Sequence, residues 1–352
     1  MDRDRWLLPE LLVEQRKIEI GYEPATLKPV NVIDFYLGDA FGVFGITGYG
    51  KSILVGNLAV ELAKSRNIII FDYKGDYKNL KYTNMRNRDS KYGSIPDLVY
   101  IHRFGFKLQD FIKPFDWEML GMTPNGANIC AAKAKMWNYH RNDLNLFKEM
   151  IDEVPVFGKN DKAEAWRATK QSIIAKLNNL KYCFIDEDSV DITYKNSDEI
   201  YYDGIPLYVS DWKYFISRHR HICLNLNSET APQKAQLFAG KILSEIQPVM
   251  PKLNPVIVVE EAHKLCPESV GDDNVPYSMI MILHYLKELH KSGVKLVLIT
   301  QSPHQLREEA LDEIKRFFVG KLQNIKGYSK LDEMFKASSN LRYNFIDGYR
   351  EF

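Results

Sequence analysis

The octapeptide Gly45-Ile46-Thr47-Gly48-Tyr49-Gly50-Lys51-Ser52 decides how the rest of this chain is read. It fits GxxxxGK[ST], and its surroundings fit as well: the apolar run 41–44 precedes it, and residues 52–64 follow with Leu54, Leu58 and Leu62 on one helical stripe. Strand, glycine-rich turn and helix in that order make an anion trap. The glycines let successive N–H groups curl around phosphate oxygens, and the helix adds its positive end. The phosphate-binding set is Gly45, Thr47, Gly48, Tyr49, Gly50, Lys51, Ser52 and Ile53. Lys51 is expected on the β- and γ-phosphates of ATP, and the Ser52 hydroxyl on Mg²⁺.

Outward from this turn, short apolar strands recur at 41–44, 68–71, 98–101, 222–226, 256–259 and 294–299, separated by helical patterns such as 279–289. Alternation of this kind signals an α/β sheet. Several runs are apolar at consecutive positions, as in central parallel strands covered on both faces. The expected fold is therefore an α/β/α sandwich, a P-loop NTPase core of the RecA-like kind. Between 113 and 182 strands give way to helical spacing, notably at 128–138 and 163–180, which reads as a mainly helical insertion. The expected division is an N-terminal extension at 1–20, a core at 21–112 and 205–352, and the insertion at 113–204. Residues 186–204 are acidic and turn-rich, and read as a surface segment or hairpin.

The run Val256-Ile257-Val258-Val259 ends in Glu260-Glu261-Ala262-His263. Ligands of open α/β sheets bind at the carboxyl ends of strands, so both carboxylates are expected beside the phosphates. Glu260 is assigned to the hydrated metal and Glu261 to polarising the attacking water. His263 reads as a structural hydrogen-bonding group. A further strand ends in Thr300-Gln301-Ser302; if it neighbours the Glu261 strand, Gln301 contacts the γ-phosphate or its water.

Bulk properties narrow the class. At 352 residues the chain can bury the core of one large domain or two modest ones. Forty-seven basic and 46 acidic side chains leave a net charge of +1, so any nucleic-acid surface has to be local. Two helical groups, Lys133 and Lys135 with Arg141, and Lys162 with Arg167 and Lys170, are candidates for phosphate contact set against plain solvated surface. Cys130, Cys183, Cys223 and Cys266 form no CxxC pair and read as buried thiols of a cytoplasmic protein. The longest apolar runs, 67–71 and 256–259, fall far short of the ~20 residues that cross a bilayer, and residues 1–10 lack a signal peptide's hydrophobic stretch. No membrane insertion is expected.

Together these segments resemble the HerA/FtsK superfamily of ring-forming DNA-pumping ATPases, and most closely the HerA-type helicase/translocases and type IV secretion coupling ATPases. Besides the glycine turn, Asp72-Tyr73-Lys74-Gly75-Asp76-Tyr77 is similar to the family's Asp-Pro-x-Gly-Glu-Tyr, Glu260-Glu261-Ala262-His263 to its Walker B string, and Thr300-Gln301-Ser302-Pro303 to its Thr-Gln-x-Pro sensor. The resemblance spans most of residues 20–345. It implies a homo-oligomer, a hexamer with DNA in its channel, nucleotide between subunits, and an arginine from a neighbour completing each site. Arg316 is the candidate for that arginine, with Arg218 and Arg220 as rivals. A nuclease or other DNA-processing partner is implied too, although HerA proteins carry an N-terminal β-barrel where this chain has only residues 1–20. Glu260 departs from the commoner aspartate by one methylene. The rival reading is a P-loop kinase or nucleotide-dependent switch, which would need an arginine-rich lid.

Overall fold

The computed structural model describes residues 17–22, 29–33, 40–81, 94–136, 143–156, 161–180, 184, 189–196, 200, 206–226, 232–269, 275–314, 316–322, 326–327 and 329–332. Strands β1 (Lys17–Tyr22) and β2 (Pro29–Ile33) form an antiparallel pair. Next come β3 (Ala40–Phe44), α1 (Lys51–Ala63), β4 (Ile68–Asp72) and β5 (Val99–Ile101). Four helices follow: α2 (Pro114–Glu118), α3 (Pro124–Lys135), α4 (Leu144–Asp152) and α5 (Asp161–Leu180). Then come β6 (Val190–Asp191), β7 (Leu207–Tyr208), α6 (Trp212–Arg218), β8 (His221–Asn225), α7 (Pro232–Ile246) and α8 (Met250–Leu253). The described chain closes with β9 (Val256–Val259), α9 (Ala262–Leu265), α10 (Tyr277–Lys287), β10 (Lys295–Thr300), α11 (Glu308–Asp312) and β11 (Arg316–Val319).

Seven strands form one parallel sheet in the order β11-β3-β10-β9-β4-β8-β5. Six are the runs expected from sequence; β11, at the sheet's edge, is additional. Alternate residues of each strand enter different cores. Phe41, Val43, Ile68, Ile70, Val256 and Val258 pack with Val55, Leu58 and Leu62 of α1, whereas Phe44, Ile69, Phe71, Ile257 and Val259 face α6, α7 and α10. With both faces covered, neither strand parity can be polar, which explains the consecutive apolar runs.

The helices α2 to α5 bear out the helical reading of the stretch after β5. Their aromatic centre stacks Trp117 on Phe147 at 5.6 Å, and Trp117 Nε1 donates to Phe111 O at 2.6 Å. A buried charge cluster joins this stretch to α7: Lys241 Nζ donates to Asp116 Oδ2 (2.9 Å) and Asp110 O (2.8 Å), and pairs with Glu245 (3.1 Å). Within the acidic segment 186–204, β6 pairs in parallel with β7, which follows it, and Ile192 and Ile200 are buried; its other residues lie largely outside the described ones. Lys170 is also no surface cation: it is buried and donates to the carbonyls of Asp152 and Val154, closing the α4–α5 connection. Arg141 lies outside the described residues. Cys130, Cys223 and Cys266 are buried free thiols, as expected, and Cys183 lies outside the described residues. Among the described residues no helix is long and apolar enough to cross a membrane.

Helices α7 and α10 touch through Gly240, where an added Cβ would lie 2.6 Å from Ser278 N and from Tyr277 C. Those are backbone atoms and cannot swing aside. Gly240→Val is expected to destabilise the fold by about 2–3 kcal/mol through overpacking, read as a lower denaturation midpoint. An unchanged midpoint would mean that the two helices do not meet there.

Candidate functional site

Because all seven strands run the same way, the turns after β3, β10, β9 and β4 leave from one edge of the sheet. After β3 the backbone takes positive φ at Gly48 (87°) and Gly50 (75°), and nothing lies within 4 Å of a Cβ built at either. This left-handed geometry is disfavoured for side chains, and a loop of this kind can offer successive amides to an anion. Helix α1 begins directly at Lys51. The loop is held on both flanks: Gly45 N–H donates to Thr300 O (3.3 Å), Ile46 N–H to Lys321 O (2.7 Å), and Gly320 N–H to Phe44 O (2.7 Å). Tyr49 is exposed, with the Lys321 ammonium 6.0 Å from its ring.

Lys51 Nζ donates to Ile46 O at 2.9 Å, curling over the loop. Burial first, and the Lys74 charge second, lower its pKa, while Glu261, Glu260 and Asp76 pull it up. The loop lysine and the β9 acids thus share one electrostatic neighbourhood. Ser52 Oγ donates to Asp76 Oδ2 at 2.9 Å. Ile53, half-buried in the first turn of α1, offers only its backbone to this edge.

Strand β10 does lie between β3 and β9, so Gln301 sits between loop and acids, and Thr47 Oγ1 donates to its Oε1 at 2.9 Å. Glu260 and Glu261 are each 2% exposed. Glu260 Oε2 accepts the Lys74 N–H at 2.9 Å, and the Asp72 carboxyl is its acidic neighbour. Burial, and then Asp72, raise Glu260 above the usual carboxylate range, and burial raises Asp72 as well. Glu261 adopts the left-handed conformation (φ 47°, ψ 46°) as it leads into α9. A non-glycine residue held there turns its carboxylate away from the strand direction at an energetic cost. Its oxygens meet Lys74 Nζ and, at 3.2 Å, His263 Nδ1. His263 Nδ1 also lies 2.8 Å from Thr300 Oγ1, which accepts the Ser302 N–H, so this histidine bridges the acid and sensor strands.

Three further side chains received no role from sequence: Asp72, Lys74 and Asp76. Asp72 closes the turn after β4 by accepting the N–H groups of Gly75 (2.7 Å), Asp76 (3.1 Å) and Tyr77 (3.0 Å). An aspartate three residues before a glycine, directly after a central strand, is the signal that marks such a turn. Arg316, by contrast, opens β11 opposite Phe41, whereas the loop leaves after Phe44. Three residues of strand put it ~10 Å from the loop's end of the sheet. Arg218 ends α6, and Arg220 immediately precedes β8, likewise at the amino end.

The oxygen donors Ser52, Asp76 and Glu260 suit a hard cation. Among the described residues no three acidic, histidine or cysteine side chains form a metal cage of their own. Mg²⁺ characteristically takes few protein ligands and completes its shell with substrate phosphates and water.

The sequence profile of the helicase HerA central domain matches residues 28–211, just over half of the chain. This chain belongs to the HerA central-domain family. Among solved structures, this HerA-family chain is similar to VirB4 of Thermoanaerobacter pseudethanolicus at 14% identity, over 91% of this chain and 88% of that one, with a TM-score of 0.57. The two share the RecA-like three-layer fold expected from the sequence. Also similar are the bacterial conjugative coupling protein TrwBdeltaN70 (13% identity, 87% and 73% covered, TM-score 0.46) and the genome packaging NTPase B204 from Sulfolobus turreted icosahedral virus 2 (11%, 85% and 83%, TM-score 0.38). No curated protein matches the HerA-family sequence significantly.

Proposed function

We propose that this protein is an ATPase that couples ATP hydrolysis to movement of DNA, working as a ring of identical subunits. The observation that carries this reading is the gathering of Lys51, Ser52, Gln301 and the buried Glu260–Glu261 pair at one edge of the sheet. The amides of 45–52 and the Lys51 ammonium bind the triphosphate and offset its charge. Ser52 and Glu260 would hold Mg²⁺, which would neutralise negative charge developing during phosphoryl transfer. Glu261 orients the attacking water and accepts its proton, and Gln301 holds the water or the γ-phosphate in line.

HerA membership favours DNA as the polymer and a ring of identical subunits, a hexamer being what the family resemblance implies. Residues 21–112 and 205–352 form the motor core, residues 1–20 extend it, and the insertion at 113–204 is an accessory to it. Arg316 points to action in trans, because β11 holds it at the far end of the sheet from its own loop. A phosphate that it reaches would belong to a neighbouring subunit. A nuclease or other DNA-processing enzyme is the partner class that this reading carries.

An ATPase assay with and without DNA tests the proposal. Stimulation by duplex or single-stranded DNA, with rings seen in particle images beside a non-hydrolysable ATP analogue, is expected. DNA-independent phosphoryl transfer to a small acceptor would replace the motor with a kinase.

A further inference from the structure

The phosphate loop and the β9 acids do not account for Lys74. Its backbone is fixed twice: the turn 72–77 is closed by Asp72, and the Lys74 N–H donates to Glu260 Oε2 at 2.9 Å. Its ammonium then forms an ion pair with the other acid of β9, Glu261. One β9 carboxylate therefore anchors the main chain from which a cation reaches the next. The exposure is unequal, 35% for the Lys74 side chain against 2% for that of Glu261. A carboxyl group buried this deeply is held in one orientation only by a partner that reaches it. His263, its other neighbour, is shifted by burial toward the neutral form, which leaves Lys74 as the firm cation.

Resting on the reading of Glu261 as the group that orients water, we propose that Lys74 is a positioning residue for hydrolysis: its ammonium holds the Glu261 carboxylate toward the terminal phosphate. It acts through Glu261. The left-handed backbone at Glu261 makes such a hold necessary, because a strained residue keeps its direction only where its surroundings fix it. Arginine at this position keeps the charge and a fork that grips a carboxylate; methionine keeps the length and loses the charge.

The test uses the full chain with Lys74→Met, Lys74→Arg, Glu261→Gln and the Lys74→Met/Glu261→Gln pair, measuring kcat and KM for ATP separately. Lys74→Met is expected to lower kcat about 30- to 100-fold with KM within about three-fold, and Lys74→Arg to regain most of the loss. In the Glu261→Gln background the same substitution is expected to cost no more than about two-fold, because the group it acts through is already gone. Should Lys74→Met fail to fold by thermal melting, Lys74→Gln is read in its place. A normal kcat in the Lys74 variant, a loss confined to KM, or equal fold losses in both backgrounds would overturn the inference alone. A wild-type protein that hydrolyses no ATP would overturn the ATPase reading and this inference together.

Discussion

Lys51→Ala is expected to reduce ATP hydrolysis by about 10²- to 10³-fold, equivalent to about 3–4 kcal/mol of transition-state stabilisation. The size of the effect follows from where the ammonium sits. It is partly desolvated at the head of α1, curled over the loop to Ile46 O, so its attraction for phosphate is damped less than in bulk water. Charge accumulates on the terminal phosphoryl oxygens during transfer, and little else in the loop carries a full positive charge to meet it. The fold itself should be indifferent, since the lysine is only half-buried and lies outside both hydrophobic cores. An unchanged melting temperature with lost turnover is the expected pair of readings. Turnover within ten-fold of wild type would remove Lys51 from the phosphates.

Glu261→Gln is expected to slow hydrolysis by about 10²- to 10⁴-fold, the range spanned by a positioned general base, while nucleotide still binds. Glutamine keeps the length and planar end of the side chain, so the loop, Lys51 and Ser52 are untouched. What disappears is the proton acceptor and the charge paired with Lys74. Single-turnover hydrolysis and binding of a fluorescent ATP analogue separate the two effects. If the variant binds and hydrolyses like wild type, another group activates the water.

The sheet was legible in the sequence wherever burial on two faces forces consecutive apolar residues, as in Ile68-Ile69-Ile70-Phe71 and Val256-Ile257-Val258-Val259. Edge strand β11 was not. Arg316-Phe317-Phe318-Val319 is short, starts with a charge and is only partly buried, and its pairing with β3 across more than 270 residues has no local signal. The site was readable where chemistry needs particular residue types in a row, as at 45–52 and 260–261. The Lys74–Glu261 contact was not, because it depends on a turn after β4 facing a strand nearly two hundred residues later, and on a backbone conformation at Glu261 that glutamate does not advertise. Lys170 shows the converse. Its helical spacing with Lys162 and Arg167 suggested a surface stripe, yet three-dimensional packing turns it inward as a clasp for carbonyls.

The stitching of the phosphate loop to the backbone just past β11 has a mechanical consequence. Two hydrogen bonds, Ile46 to Lys321 and Gly320 to Phe44, tie the phosphate loop to the outgoing chain. A tug on the backbone at 320–321 is felt at Ile46, whose carbonyl in turn steadies Lys51. On the proposed reading, load that reaches residues 320–321 would pass through these two bonds to the ATP site, linking fuel cycle and stride.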